Sequence, residues 1–144
     1  MTHKHTLLVI LTALFGNQAF AAPELKPGKW RITSTLEHPM MPSPQEQTTE
    51  ECITSSRFDF EKIMGELPTD SCNPIKPKTS GNKVSWSIDC VNPMDPSSRV
   101  TGTGNFQANG KSGEGMFKMN MAIPGMGDQS ITSRWRQEYL GKCD

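Results

Sequence analysis

The sequence predicts a single, mostly β domain: a curved antiparallel meander sheet or incomplete barrel of about seven strands, with one short inserted helix and two disulfides. Three observations predict it. Apolar and polar residues alternate with a period of two in several segments, the signature of strands half-buried against a core. Turn signals rich in Gly, Asn and Pro separate those segments. All four cysteines lie beyond an N-terminal export signal, where an even count reads as two disulfides. A two-sheet sandwich is the other architecture this pattern allows.

The export signal comes first. Lys4, beside His3 and His5, supplies a positive start, Thr6 to Gly16 (TLLVILTALFG) an apolar run, and Ala19-Phe20-Ala21 a small-x-small cleavage site. The apolar run is well short of the roughly 20 residues a membrane-spanning helix needs, and no stop-transfer segment follows. Residues 1–21 are therefore read as a signal peptide and 22–144 as one β domain of 123 residues, with no membrane span after cleavage. Without Lys4 that domain carries 14 Lys plus Arg against 15 Asp plus Glu, scattered without a run of one sign. Nucleic-acid binding by counterion release needs a basic stripe, which is not present, and the same lack disfavours an anionic-membrane anchor.

The elements follow in order. Lys29 to Glu37 alternates, with Trp30, Ile32 and Leu36 on one side and Arg31, Thr33 and Glu37 on the other. His38 to Pro44 is a proline-broken loop, and Gln45 to Ile53 a polar strand suited to an edge. Ser55 to Leu67 is the helical candidate, two to three turns long, with a serine cap and an end at Gly65 and Pro68. Val84, Trp86, Ile88 and Cys90 form a period-two strand after the turn signal Ser80-Gly81-Asn82. A three-residue loop there pairs Thr79 with Lys83 and, counting outward, Cys72 with Cys90. Of the three possible disulfide pairings this register selects Cys72–Cys90, and Cys52–Cys143 by elimination. Pro74 and Pro77 cannot donate to a ladder, so the strand carrying Cys72 is short or at an edge. A second hairpin is expected to turn at Asn109-Gly110. Its register sets Phe106 over Gly113 and Phe117 over Gly102, aromatic cover of strand glycines that suits a bent sheet. Ile131, Trp135 and Tyr139 line a final strand ending at Cys143.

Several of these pieces occur together in a recognisable order. Pro27-Gly28-Lys29-Trp30 opens the first strand, proline-methionine loops follow, and Glu51-Cys52-Ile53-Thr54 precedes the helix. Then come Ser80-Gly81-Asn82-Lys83-Val84-Ser85-Trp86, Cys90, a Gly-Thr-Gly strand, and a closing Leu140-Gly141-Lys142-Cys143. In this the chain resembles the DUF3617 family, small exported bacterial proteins that carry a domain-of-unknown-function label. The resemblance spans essentially the whole exported part. It implies an envelope location, periplasmic in a Gram-negative-type bacterium, and brings no activity or catalytic residue with it.

The residues themselves argue against catalysis. One histidine, His38, remains after the signal, and no nucleophile elbow, zinc-protease motif or Gly-rich phosphate loop is present. With all four cysteines bridged, none is left for thiolate chemistry, and none shows the C-x₂₋₄-C spacing of a zinc site. The expectation is a non-enzymatic binding module for a small apolar ligand or an envelope partner. Trp30, Trp86, Phe117, Met119, Met121 and Trp135 are the candidate ligand-facing residues, on the apolar face of a curved sheet. Two alternatives are kept. Thioether sulfur favours Cu(I), so His38, Met40 and Met41 form a candidate copper loop; no other cofactor is expected. The polar second strand, exposed as an edge, suits a structural or chaperone-like envelope protein.

Overall fold

The computed structural model describes residues 23–58, 71–73, 75–92, 94–123 and 125–144. The sequence-predicted signal peptide and most of the expected helix, residues 59–67, lie outside the described residues. Seven strands form one antiparallel sheet: β1 (Gly28–Glu37), β2 (Gln45–Ile53), β3 (Lys78–Ser80), β4 (Lys83–Asn92), β5 (Asp95–Ala108), β6 (Ser112–Ile123) and β7 (Gly127–Gly141). Their order is β2-β1-β7-β6-β5-β4-β3, so the sheet is open, with β2 and β3 as its edges. No helix among the described residues is long and apolar enough to cross a membrane.

The meander expected from the sequence runs without a break from β3 to β7. There it departs from strict order: β1 returns to pair with β7, and β2 pairs outside β1. The physical reason lies at the start of β1. Trp30 sits directly opposite Tyr139 and meets its ring edge-on at 5.7 Å, while Cys52 and Cys143 bridge over β1 with their Cα atoms 5.8 Å apart. That disulfide closes a loop of 91 residues, for which chain-entropy arguments give about 4–5 kcal/mol.

Both hairpin registers differ from those expected. The first turn has two residues, Gly81 and Asn82, with Ser80 opposite Lys83 and Thr79 opposite Val84. Gly81 has φ +58°, taking the first central position of a tight turn where a side chain is disfavoured. The expected three-residue loop is thus one residue too long. The disulfide Cys72–Cys90 nevertheless forms, because β3 stops at Lys78 and the pairing shifts beyond it. Asn73 N–H donates to Asp89 O at 2.9 Å, and Cys72 then bridges to Cys90 in the one-residue-shifted register. Pro77, lacking an N–H, lies where the ladder breaks.

The second hairpin pairs Ala108 with Gly113 and Phe106 with Gly115, two residues away from the expected register. Asn109 precedes the turn rather than sitting inside it. Its N–H donates to Ser112 O at 3.0 Å, its Oδ1 accepts from Ser112 Oγ at 2.6 Å, and Gly110 (φ +84°) takes the next position. Gly110 is also held by the N-terminal arm: its N–H donates to Glu24 O, and Lys26 N–H donates to Gly110 O. A slip of two preserves the face of every side chain.

The core lies on one face. Leu25, Trp30, Val84, Trp86, Ile88, Phe106 and Ala108 are buried, with Phe58 stacked on Phe106 at 4.3 Å. Glycines make this packing possible. A Cβ at Gly104 would overlap the Trp86 indole, and one at Gly115 the Trp135 indole. The diagonal neighbours repeat the arrangement, with Phe117 Cζ 2.9 Å from a Cβ at Gly102 and Phe106 Cζ 2.9 Å from one at Gly113. Four large rings therefore lie across strands that have no side chain beneath them. The fold is consistent with an oxidising, exported setting, since both disulfides close and no described cysteine is free.

Adding one methyl group at these seats tests the packing. Gly104→Ala and Gly115→Ala are each expected to cost about 1–3 kcal/mol, the usual range for overpacking. Thermal unfolding followed by circular dichroism should show a lowered Tm for both, and little change for Thr103→Ala at the exposed neighbouring position. Unchanged melting of the two glycine variants would contradict the arrangement.

Candidate functional site

The period-two pattern sends every charged strand residue of the sheet centre to the face opposite the core. On that face Arg31 and Thr33 of β1 adjoin Glu138, Arg136 and Arg134 of β7, which adjoin Ser112, Glu114 and Met116 of β6. Two adjoining hollows of about 560 and 440 Å³ open there, sharing Thr33, Glu114 and Arg136. Gln107 and Asn109 border the larger one, Met116 and Trp135 the smaller.

Ion pairs order most of this surface. The Arg31 guanidinium spans β1's two neighbours, reaching Glu138 at 2.9 Å and Glu50 at 3.1 Å, and Lys29 meets Glu50 at 2.9 Å. Arg134 pairs with Glu37, and Arg99 with Asp89. The hydrogen bond and charge of Lys29, with help from Arg31, hold the Glu50 carboxyl below its ordinary pKa; Arg99 does the same for Asp89. These groups are exposed, so the pairs set geometry more than stability.

All six residues expected to face a ligand lie on one face, the core face, but in two environments. Trp30 and Trp86 are buried, as wall of the core. Phe117, Met119, Met121 and Trp135 are half-buried along β6 and β7, with Phe117 level with Trp86. The hollows open on the other face. His38, Met40 and Met41 share the β1–β2 connection, where the Met40 N–H donates to His38 Nδ1 at 3.1 Å, so Nε2 is the ring nitrogen left to face outward. The β4–β5 and β6–β7 connections, at the same end, carry Met94 and Met126. All three tips are exposed, Met94 to 93%. Strand spacing places successive connections about 10 Å apart, so they form a rim rather than a cluster. No three described His, Cys, Asp or Glu residues converge as a metal set.

The sheet edges are unlike. β3 has three residues and follows Pro77. β2 has nine, pairs among the described residues only with β1, and is exposed from Gln45 to Cys52. The sequence reading missed Arg136 and Glu114. Their alternation with apolar neighbours places both on the polar face, but that they stand opposite one another follows only from the β6–β7 register.

Open single-sheet geometry, two disulfides and an aromatic-on-glycine core define a small β domain. A family profile described as a protein of unknown function, DUF3617, matches residues 25–143, and the chain belongs to that family. Comparison with curated proteins and with solved structures gave no match.

Because the Glu50 carboxyl is held low in the folded chain, its contribution to stability is present above the ordinary carboxylate range and is lost as the pH falls through the lowered value. A carboxyl-detected NMR titration should find Glu50 titrating below the ordinary glutamate range, and Lys29→Gln should raise it. Titration of Glu50 within the ordinary range would remove the Lys29 pair.

Proposed function

We propose that this chain is a non-enzymatic binding module of the bacterial envelope, exported to the periplasm, that engages an envelope partner by accepting a strand along β2. The observation that supports this is the contrast between the two edges. A sheet edge is a row of unpaired N–H and C=O groups that folded proteins blunt with short strands, prolines or bulges. The β3 edge is blunted in this way. The β2 edge is long, regular in register against β1 and exposed throughout.

Charge describes the partner. Glu50 is committed to Lys29 and Arg31, whereas Glu46 and Glu51 enter no ion pair among the described residues. Glu46 and Glu51 lie on opposite faces of β2, so an extended segment with basic residues five positions apart fits this edge, adding main-chain hydrogen bonds for affinity and charge for register. A second copy fits poorly. Symmetric antiparallel pairing centred on Thr48 sets Glu46 against Glu50, and directly opposed like charges are destabilising.

A second reading is favoured by the half-buried patch of Phe117, Met119, Met121 and Trp135, which offers an apolar ligand a seat beside the core. The copper reading keeps His38 Nε2 and the thioethers of Met40 and Met41 as its donors.

An eight-residue threonine-rich peptide with lysines at its second and seventh positions, fluorescently labelled, tests the strand-addition reading. It should bind the oxidised protein, slow amide hydrogen exchange in β2, and lose about tenfold or more in affinity with Glu46→Lys and Glu51→Lys together. Binding that leaves β2 exchange unchanged, or that ignores the charge reversal, would overturn it.

A further inference from the structure

The ladders contain three pairs of opposite charges that stand directly across from one another: Arg31 with Glu50, Arg31 with Glu138, and Arg136 with Glu114. Cross-strand neighbours of this kind have Cβ atoms about 4.5–5.5 Å apart and ordinarily pair. The first two do, at 3.1 and 2.9 Å. The third does not. Neither Arg136 nor Glu114 makes an ion pair or side-chain hydrogen bond among the described residues, and both line each of the two hollows on the polar face. A guanidinium and a carboxylate thus stand uncommitted on adjoining strands, at the place where the surface is hollowed.

We infer that this hollow is a binding site for a free α-amino acid, with Arg136 taking the carboxylate and Glu114 the ammonium. The match is one of spacing and of geometry. An α-amino acid carries its two charges on one carbon, a few ångströms apart, as suits side chains on directly opposed positions. Guanidinium binds carboxylate through two parallel N–H···O bonds, and the Glu114 carboxylate accepts from an ammonium. Neighbouring charges do not compete for the ligand. Arg31 is held by Glu50 and Glu138, and Arg134 by Glu37, so the groups flanking Arg136 are already neutralised. Thr33, opposite Arg136 on β1, completes that side, its hydroxyl 3.2 Å from that of Thr48. The adjoining hollow is bordered by Met116, whose side chain stands on this same face opposite Arg134 and offers a place for an apolar side chain. The larger volume, about 560 Å³, lies within the range of small-molecule sites.

This site is on the opposite face from the core and independent of the β2 edge, so either can fail alone. The test uses the oxidised protein with three probes: L-leucine, N-acetyl-L-leucine and L-leucinamide, followed by amide and side-chain NMR shifts. L-leucine should bind and shift Arg136 Nε–H and the backbone amides of Glu114 and Arg136. Each single-charge derivative should bind about tenfold or more weakly, since each removes one charged hydrogen bond. Glu114→Gln should abolish the preference for L-leucine over N-acetyl-L-leucine, and Arg136→Gln the preference over L-leucinamide, with the melting temperature unchanged because both side chains are exposed. No shift with millimolar L-leucine, or equal affinity for all three probes, would overturn the proposal. So would variants that bind as the wild type does.

Discussion

Everything in this structure rests on large rings laid across bare backbone. Trp86 covers Gly104, Trp135 covers Gly115, and Phe117 and Phe106 lie over Gly102 and Gly113. One sheet with a short list of buried residues has little core to spend on stability. Rings that sink to the level of the strands exclude water without a second sheet to meet them. The N-terminal arm closes one end, where Leu25 is buried, Trp30 Nε1–H donates to Lys26 O at 2.8 Å, and the Lys26 ammonium sits 4.7 Å from the centre of the Tyr139 ring. The disulfides then fix what the core leaves loose: Cys72–Cys90 holds the segment before the blunted edge, and Cys52–Cys143 straps β2 to the chain end across β1.

That solution leaves one face and one edge for function. With the apolar side chains spent on the covered face, the other face is a charged lattice in which Arg31 ties three strands together. Its order makes the uncommitted pair, Arg136 and Glu114, stand out. The same economy leaves β2 outermost, where its polar side chains suit water on both faces and its outer main chain has no strand partner among the described residues.

How much of this was legible follows from what local pattern can carry. Alternation placed Trp30, Trp86, Phe117 and Trp135 on one face, and the two-residue register error in the β5–β6 hairpin did not disturb that, because two is the period of the strand. The error arose because Asn109-Gly110 was read as the turn centre, whereas the arm's hydrogen bonds to Gly110 and the Asn109 side chain move the centre one residue on. The β3–β4 turn was misplaced by one, yet Cys72–Cys90 was still found, since the break beyond Lys78 restores the expected pairing. The β1–β7 pairing was not legible at all. It joins residues about a hundred positions apart, and no local pattern specifies it. The polar-face hollow was missed for the same reason, since it exists only where β1, β7 and β6 meet.

Indole rings occupy the places of the missing side chains in β5 and β6. The proton chemical shifts of Gly104 and Gly115 measure this most directly. Lying beneath indole rings, an α-proton of each glycine should be displaced strongly upfield by ring current, and Trp86→Leu should restore Gly104 while leaving Gly115 displaced. Glycine α-protons at ordinary strand values, or a Gly104 signal indifferent to the loss of Trp86, would contradict the account.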